Sequence, residues 1–392
     1  MSNNPKNRPK YLLGLIVLSQ FAGTALWFAS NAILDNLSLE FNLPANALGY
    51  LTSAVQLGFI SGTLLFAFYV IADRFSPSKV FMICAIIGAL FNAGILFYEG
   101  GLWGLVSLRF MTGFCLAGIY PVGMKIASDW YQGGLGKALG YLVGALVLGT
   151  AFPHFLKCTI GLVDWKLVLI ITSSGALIGG LLVGFLIPDG PYRKLGAQFK
   201  PQAIIDIFKF PEFRSAAFGY FGHMWELYAF WTFLPFFLLS WSNVQKQAFN
   251  ISFSAFILIS LGGLACILGG YRSLKIGSKK VAWRMLLVSG LCCLLSPFFF
   301  LQGNLLLLLV FLGIWGFSVV GDSPQFSTLV AKHAPEAYRG SALTIVNCIG
   351  FALTIGSIQL LNYISLTLAT EWLFIALLPG PILGLLAIKR VQ

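Results

Sequence analysis

Long apolar runs, separated by short polar turns, make up most of the chain. A run of roughly 20 apolar residues, rising 1.5 Å per residue as a helix, crosses the roughly 30 Å hydrocarbon core of a bilayer. The pattern therefore predicts an all-α membrane protein with twelve transmembrane helices, which we call spans one to twelve. The predicted spans are 11–34, 47–71, 80–98, 102–126, 138–155, 167–187, 216–239, 251–270, 285–301, 305–330, 342–363 and 372–388.

Composition supports a membrane-embedded chain. Hydrophobic residues make up 58% of the sequence and charged residues 10%, whereas a soluble domain carries roughly 25% charged residues. The first run is too long for the apolar region of a cleaved signal peptide, so we expect it to remain as a helix. Almost all of the seven cysteines lie inside spans without metal-ligand spacing, and we expect neither a metal nor another cofactor.

The formal charge of +12 could indicate a nucleic-acid partner, but the location of the basic residues excludes that class. If the N-terminus is cytoplasmic, 21 Lys and Arg residues lie on the inner side and only Lys157, Lys166 and Lys246 on the outer side. This asymmetry predicts that both termini are cytoplasmic. The basic face is then expected to meet anionic lipid headgroups.

The longest polar stretch divides the chain into two halves. We expect a cytoplasmic tail at 1–10, a six-helix bundle at 11–187, a cytoplasmic loop at 188–214, a second six-helix bundle at 215–388 and a cytoplasmic end at 389–392.

The two halves match each other at an offset of 201 to 204 residues. The turn YVIADRFSPSKV from Tyr69 matches GYRSLKIGSKKV from Gly270 in the register of its basic residues, so that Lys275 stands where Arg74 does. The sequence Gly-Ile-Tyr-Pro ending at Pro121 likewise matches Gly-Asp-Ser-Pro ending at Pro324. An internal repeat of this length predicts two related bundles.

These features resemble the major facilitator superfamily over the whole chain. The family's loop signature, roughly G-x-L-A-D-R-x-G-R-R, survives as Ala72-Asp73-Arg74 with Lys79, although Tyr69 replaces its glycine. In the second copy Leu274 stands in place of the acid. The resemblance implies two six-helix bundles around a central cavity that alternates between the two sides of the membrane.

The resemblance also implies a gating role for the loop signature, in which Asp73 and Arg74 bridge the bundles on the cytoplasmic side. The alternative is that these turns, including Lys275, act only as basic topology signals. Pro121 and Pro324 add an independent indication. Proline removes a backbone hydrogen bond, and helices interrupted at matching positions point to a transporter's binding site. We expect both prolines to mark the inner mouth of the cavity.

Few ionisable residues lie inside the spans, where a charge costs about 2.5–3.5 kcal/mol or more. Arg109, His223, Glu226 and Asp322 fall on spans four, seven and ten, which line the cavity according to the resemblance. Helical rise puts Arg109 roughly 10 Å below the outer edge, Glu226 near the midplane and Asp322 roughly 25 Å down. Arg109 is therefore expected to pair with Glu226, and Asp322 to act separately.

Helical spacing extends these positions into polar and aromatic stripes, because residues at i, i+3, i+4 and i+7 share a face. The resulting candidates for substrate or proton binding are Gln20, Trp27, Asn31, Arg109, Tyr120, His223, Glu226, Trp231, Trp315, Asp322, Gln325 and Asn347. Glu226 is interpreted either as a proton carrier, since desolvation favours the neutral carboxyl group, or as a structural ion pair. His223 either relays the proton or completes the polar network.

The functional hypothesis is alternating-access transport of a small organic solute, driven by a proton gradient and needing no bound cofactor. We expect a monomer in a plasma membrane, typical of a bacterial inner membrane. A nitrate-like or organic anion porter and a multidrug exporter are the alternatives. A membrane-embedded enzyme is disfavoured, because the histidines are scattered and no nucleophile-histidine-acid spacing occurs.

Overall fold

The computed structural model describes residues 9–131, 135–161, 164–193, 203–335 and 339–389, and within these ranges the chain is helical without any strand. Eleven helices are long and apolar enough to cross a membrane, and the shorter apolar helix Leu12–Thr24 belongs to span one. Spans two to twelve are Ala47–Phe68, Pro77–Phe97, Leu102–Trp130, Lys137–Thr159, Lys166–Leu186, Pro211–Gln245, Ile251–Ile276, Ser278–Leu301, Leu305–His333, Ser341–Thr367 and Thr370–Ile388.

Span seven is longer than its apolar run. The prediction was 216–239, but the helix begins at Pro211 and continues to Gln245. Apolar length marks only the part that must lie in hydrocarbon, whereas polar residues can continue a helix whose backbone bonds are already satisfied. The predicted loop 188–214 accordingly includes the first turn of span seven and a short helix, Ala203–Asp206; its residues 194–202 lie outside the described ranges.

Three spans are interrupted near the middle of the protein. The helix of span one ends at Thr24 and restarts as Ala29–Ala32. Span four divides into Leu102–Leu116 and Tyr120–Trp130, and span ten into Leu305–Gly321 and Ser323–His333. Pro121 and Pro324 lie at the first positions of the restarted helices, where the missing N–H breaks no helical bond. Each interruption exposes backbone groups that side chains can use.

Small residues let neighbouring spans approach closely within the first bundle. A Cβ atom added to Gly113 of span four would lie 2.8 Å from the Cα atom of Val55 in span two. One added to Gly58 of span two would lie 2.8 Å from the backbone nitrogen of Phe114. The backbones of spans two and four are therefore in contact, as is common where glycines face each other in membrane helices.

Hydrogen bonds between the two bundles lie at one end of the described structure. We call the end that carries the turns 69–79 and 270–284 the basic end. At the opposite end, the amide of Gln359 donates to Ser53 Oγ at 2.8 Å, and Asn362 donates to the carbonyl of Asn46 at 3.2 Å. Toward the basic end, Gly140 of span five and Gly270 of span eight have no atom within 4 Å of an added Cβ.

Candidate functional site

A cavity of about 230 Å³ lies between the bundles at the basic end. Spans two and four form one wall and the first turns of span eleven form the other. Its lining residues are Thr63, Phe66, Ala67, Val70, Ala72, Asp73, Ala117, Pro121, Val122, Lys125, Ser341 and Thr344. Pro121, at the interruption of span four, is one of these residues, whereas Pro324 is not. That both prolines mark the inner mouth of the cavity stays a prediction.

Arg109 is fully buried, and its hydrogen bonds in the described residues lie within the first bundle, with its Nε left without a partner there. Its Nη2 donates to the carbonyls of Leu26 and Trp27 at 2.9 and 2.6 Å, and its Nη1 donates to Asn92 Oδ1 at 3.0 Å. The two carbonyls belong to the interruption of span one, where helical partners are lost. Arg109 therefore holds the broken segment of span one and positions Trp27.

Glu226 is equally buried but bonds only within the second bundle. Its carboxylate accepts hydrogen bonds from Trp315 Nε1 at 2.6 Å and from Ser289 Oγ at 2.9 Å. The thiol of Cys293 lies 3.4 Å from the same carboxylate. The donors to Glu226 are thus neutral side chains of spans nine and ten. Trp315 is one of these donors and does not line the cavity.

The predicted pair of Arg109 and Glu226 is wrong. Depth along the helices was the basis of that prediction, and depth does not fix the direction in which a side chain points. Each residue is turned into its own bundle, where backbone or side-chain groups satisfy it. In the described residues none of the hydrogen bonds of Arg109 or Glu226 crosses between the bundles, so both residues would stay bonded if the bundles moved relative to each other.

His223 and Asp322 form a buried contact between spans seven and ten. His223 Nδ1 lies 2.8 Å from Asp322 Oδ1, and both side chains are about 1% exposed or less. The two groups are close, but their orientation does not meet hydrogen-bond geometry. Asp322 occupies the interruption of span ten, between Gly321 and Ser323. Asp322 therefore lies against His223 where the helix of span ten is interrupted.

A cluster of six rings, which we call the ring cluster, joins the bundles above the cavity. Its members are Trp27, Phe28, Phe59, Tyr228, Trp231 and Phe351. The ring of Trp27 lies 5.5 Å from Tyr228 and 5.7 Å from Phe351, both in the second bundle. Phe59 precedes the cavity residue Thr63 by one turn. The ring cluster therefore closes the cavity on the side away from the basic end.

The remaining predicted binding residues occupy separate surroundings. Asn347 accepts a hydrogen bond from the Tyr220 hydroxyl at 2.6 Å, and Asn31 donates to Thr52 at 2.7 Å inside the first bundle. Gln20 is buried without a hydrogen-bond partner in the described chain. Tyr120 begins the second half of span four, and Gln325 is buried at the interruption of span ten. Only part of the predicted set is thus brought together.

The predicted gating residues lie at the basic end. Asp73 pairs with Lys125 of span four at 2.8 Å, in its own bundle. Arg193, after span six, donates to the carbonyl of Asp73 at 2.9 Å and ties this turn in place. Arg74 and Lys275 are exposed. With the cavity open between the bundles, none of these contacts joins the two halves in the described ranges, so a bridging role of Asp73 and Arg74 stays a prediction.

Sequence reasoning missed the contribution of span two. Thr52, Gln56, Phe59 and Thr63 follow the i, i+4, i+7, i+11 spacing of one helix face. Thr52 bonds to Asn31, Phe59 contacts Trp27 and Thr63 lines the cavity. This stripe of polar residues in an apolar span was a signal that could have located the site.

Cross-linking the closed end is expected to stop transport. In a variant carrying Ser53→Cys and Gln359→Cys, a short bifunctional thiol reagent should join spans two and eleven, whose side chains are now 2.8 Å apart. Transport should fall by about tenfold or more, because alternating access requires this end to open. Uptake before and after reduction measures the effect. The single variants and the pair Ser61→Cys with Gln359→Cys serve as controls, and undiminished uptake in the linked protein would contradict the closure.

The geometry describes a polytopic transporter built from two helical bundles, closed at one end around interrupted helices. Residues 16–357 match the family description Major Facilitator Superfamily. The chain belongs to this superfamily, and it is a membrane-embedded transporter.

Other proteins are similar to the chain in sequence or in fold. The chain is 24% identical to an uncharacterized protein of Campylobacter jejuni over 309 residues, which cover 76% of this chain and 92% of that protein. The nucleoside transporter NupG has a similar structure, with a TM-score of 0.73, 16% identity and coverage of 97% of this chain and all of that one.

A bacterial homolog of the human lysosomal transporter Spinster, in its inward-facing and unoccupied conformation, is also similar. Its TM-score is 0.66 at 16% identity, with coverage of 97% and 94% of the two chains. Likenesses at this identity show the shared twelve-helix fold.

Proposed function

We propose that the protein is a proton-coupled secondary transporter that moves a small organic solute across the membrane by alternating access. The observation that carries this proposal is the His223–Asp322 pair, buried at the interruption of span ten with a 2.8 Å separation. Ionisable groups are expensive in hydrocarbon and occur there mainly on transport pathways. Asp322 is the proton carrier in this proposal.

The position of Asp322 suits a group that gains and loses a proton during transport. Its side chain is fully buried within a span, where an ionised group is expensive, and His223 of span seven lies 2.8 Å away. A proton on Asp322 changes its contact with His223, and this change can loosen the packing of span seven against span ten.

Glu226 has a different role in this proposal. Three donors inside the second bundle already satisfy its carboxylate, and it has no contact with the first bundle in the described residues. We assign to Glu226 the structural role of holding spans seven, nine and ten together. Arg109 is similarly engaged with backbone carbonyls, which argues against the anion porter, because the arginine is not free to bind an anion.

The orientation of the protein in the membrane follows from the position of its basic residues. Positive residues collect on the cytoplasmic side of membrane proteins, so the basic end, both termini and the open cavity face the cytoplasm in this proposal. The protein then lies in a plasma membrane as a monomer, with anionic lipid headgroups around its basic residues. The conformation is the one open to the cell interior.

A transport assay tests the coupling. A thermal-shift screen of metabolites identifies a solute, and purified protein in proteoliposomes is then given that solute with and without a proton gradient. Accumulation should follow the imposed gradient and disappear when a protonophore is added. Accumulation that is the same with and without the gradient would overturn proton coupling, and facilitated equilibration alone would point to a uniporter.

A further inference from the structure

The ring cluster combines aromatic faces with polar groups that have no partner. Its six rings come from spans one, two, seven and eleven, so both bundles contribute to one central surface. All six side chains are buried, at 3% exposure or less. Ring planes of Trp27 and Phe351 are nearly parallel, at 25°. In this conformation the rings contact one another, with the Trp27 and Phe351 centroids 5.7 Å apart. A flat ring would enter when the bundles separate, and it would then find stacking surfaces on both of them.

Several hydrogen-bonding atoms in this region are unsatisfied. The indole N–H groups of Trp27 and Trp231, both amide atoms of Gln56 and the hydroxyl of Ser30 have no partner among the described residues, although all are buried. Buried polar groups are normally hydrogen-bonded, and leaving them unpaired destabilises a protein. These atoms supply two fixed donors, one amide that both donates and accepts, and one hydroxyl.

Gln56 lies on the same face of span two as the residues that contact span one. Thr52, one turn away, bonds to Asn31, and Phe59, almost one turn in the other direction, contacts the ring of Trp27. Gln56 is therefore placed between these two contacts, beside the broken segment of span one. Its amide lies at the edge of the ring cluster, where it can bind the rim of a stacked ligand.

The charged side chains nearest this region are already in contact with groups of their own bundle. Arg109 donates to Leu26, Trp27 and Asn92, and its Nε has no partner in the described residues. Glu226 is bonded inside the second bundle, and His223, five residues before Tyr228 in span seven, lies against Asp322. A charged solute would have to displace these contacts to gain a counter-ion, which is unfavourable in a dry site.

We propose that the ring cluster is the substrate site and that it takes an uncharged, planar heterocycle with hydrogen-bonding groups on its rim, of the kind that nucleobases represent. This inference rests on the proposed transport function and adds its substrate class. When the bundles separate, the ligand ring takes the place of the contacts that Trp27 of the first bundle makes with Tyr228 and Phe351 of the second, and stacking on these rings holds its plane. Gln56 and the indole N–H groups of Trp27 and Trp231 bind the rim.

Ligand binding to purified protein in detergent tests this class. The probes are uracil, adenine and hypoxanthine as planar neutral rings, orotate as the same ring as uracil with a carboxylate, and dihydrouracil as its saturated form. Tryptophan fluorescence and thermal shift report binding. We expect saturable binding of at least one planar neutral ring. Orotate and dihydrouracil should bind about tenfold more weakly or worse, because orotate brings a charge and dihydrouracil is not flat.

Matched variants locate the site. Trp27→Phe keeps the ring and removes the N–H, and Gln56→Leu removes the amide, so each should weaken binding by about tenfold, as expected for the loss of a buried hydrogen bond. Trp103→Phe is the control, because Trp103 is 68% exposed and far from the ring cluster in span four's outer turn. Melting temperatures without ligand verify that each variant is folded.

Each contrary outcome bears on a different part of the proposal. If wild type binds none of the neutral rings, or binds orotate or dihydrouracil as tightly, the substrate class is wrong. Unchanged affinity in both Trp27→Phe and Gln56→Leu would place the site elsewhere. Proton-driven uptake of another solute without ring binding would leave the proposed function intact, whereas ring binding without proton-driven accumulation would overturn the proton coupling alone.

Discussion

Replacing Asp322 by asparagine is expected to abolish accumulation of solute against its gradient. Asparagine has nearly the same shape but cannot carry a proton, so the proton gradient can no longer drive the cycle. The ratio of internal to external solute should fall to about one, since accumulation requires coupling free energy between proton and solute. Exchange of labelled for unlabelled solute should continue, because exchange needs only movement of the loaded protein.

Two comparisons make the Asp322→Asn result specific. Asp206→Asn alters an aspartate at the basic end that pairs with Lys209 at 2.7 Å, and accumulation should be unchanged. Glu226→Gln alters a buried acid that faces the interior of the second bundle, and it should lower thermal stability more than coupling. If Asp322→Asn accumulates solute to the wild-type level, another group carries the proton and the assignment fails.

Replacing Arg109 by glutamine is expected to destabilise the protein strongly. The change leaves two backbone carbonyls of span one and the Asn92 amide oxygen without their donor. Each such buried group costs about 1–3 kcal/mol, so the total should reach several kcal/mol. Uptake should fall as well, because the broken segment that carries Trp27 loses its support. Thermal unfolding of the purified protein measures the first effect and proteoliposome uptake the second.

Further substitutions separate the roles of charge and geometry at this position. Arg109→Lys should not restore stability, since one ammonium group cannot reach both carbonyls and Asn92 as a planar guanidinium does. Asn92→Ala removes one of the three acceptors and should give an intermediate loss. Arg214→Gln, at an exposed arginine, is the control. A melting temperature for Arg109→Gln equal to that of this control would refute the anchoring role.

The fold was largely predictable because it depends on quantities that a sequence states directly. Hydrophobic length determined the spans, and the matching turns at Tyr69 and Gly270 indicated two related bundles. The GxxP sequences also coincide with the interruptions of spans four and ten. The interruption after Thr24 in span one gave no such signal, because no proline precedes it and the bonds of Arg109 to Leu26 and Trp27 satisfy its carbonyls.

The site was less predictable because rotation about each helix axis decides which side chains meet. Arg109 and Glu226 lie on the expected helices, yet each points into its own bundle. The pair of His223 and Asp322 was overlooked, although 1.5 Å of rise per residue puts them within about one turn of the same depth.

The contacts that close the end opposite the basic end are made without ion pairs in the described residues: amides, a hydroxyl, a backbone carbonyl and aromatic rings form them. The basic end instead carries partly exposed pairs such as Asp73 with Lys125. Dissolved salt screens exposed charges but acts little on neutral hydrogen bonds and packing. Changes in ionic strength at the closed end would thus have little effect on its contacts, and the protein's sensitivity to salt belongs to its basic end.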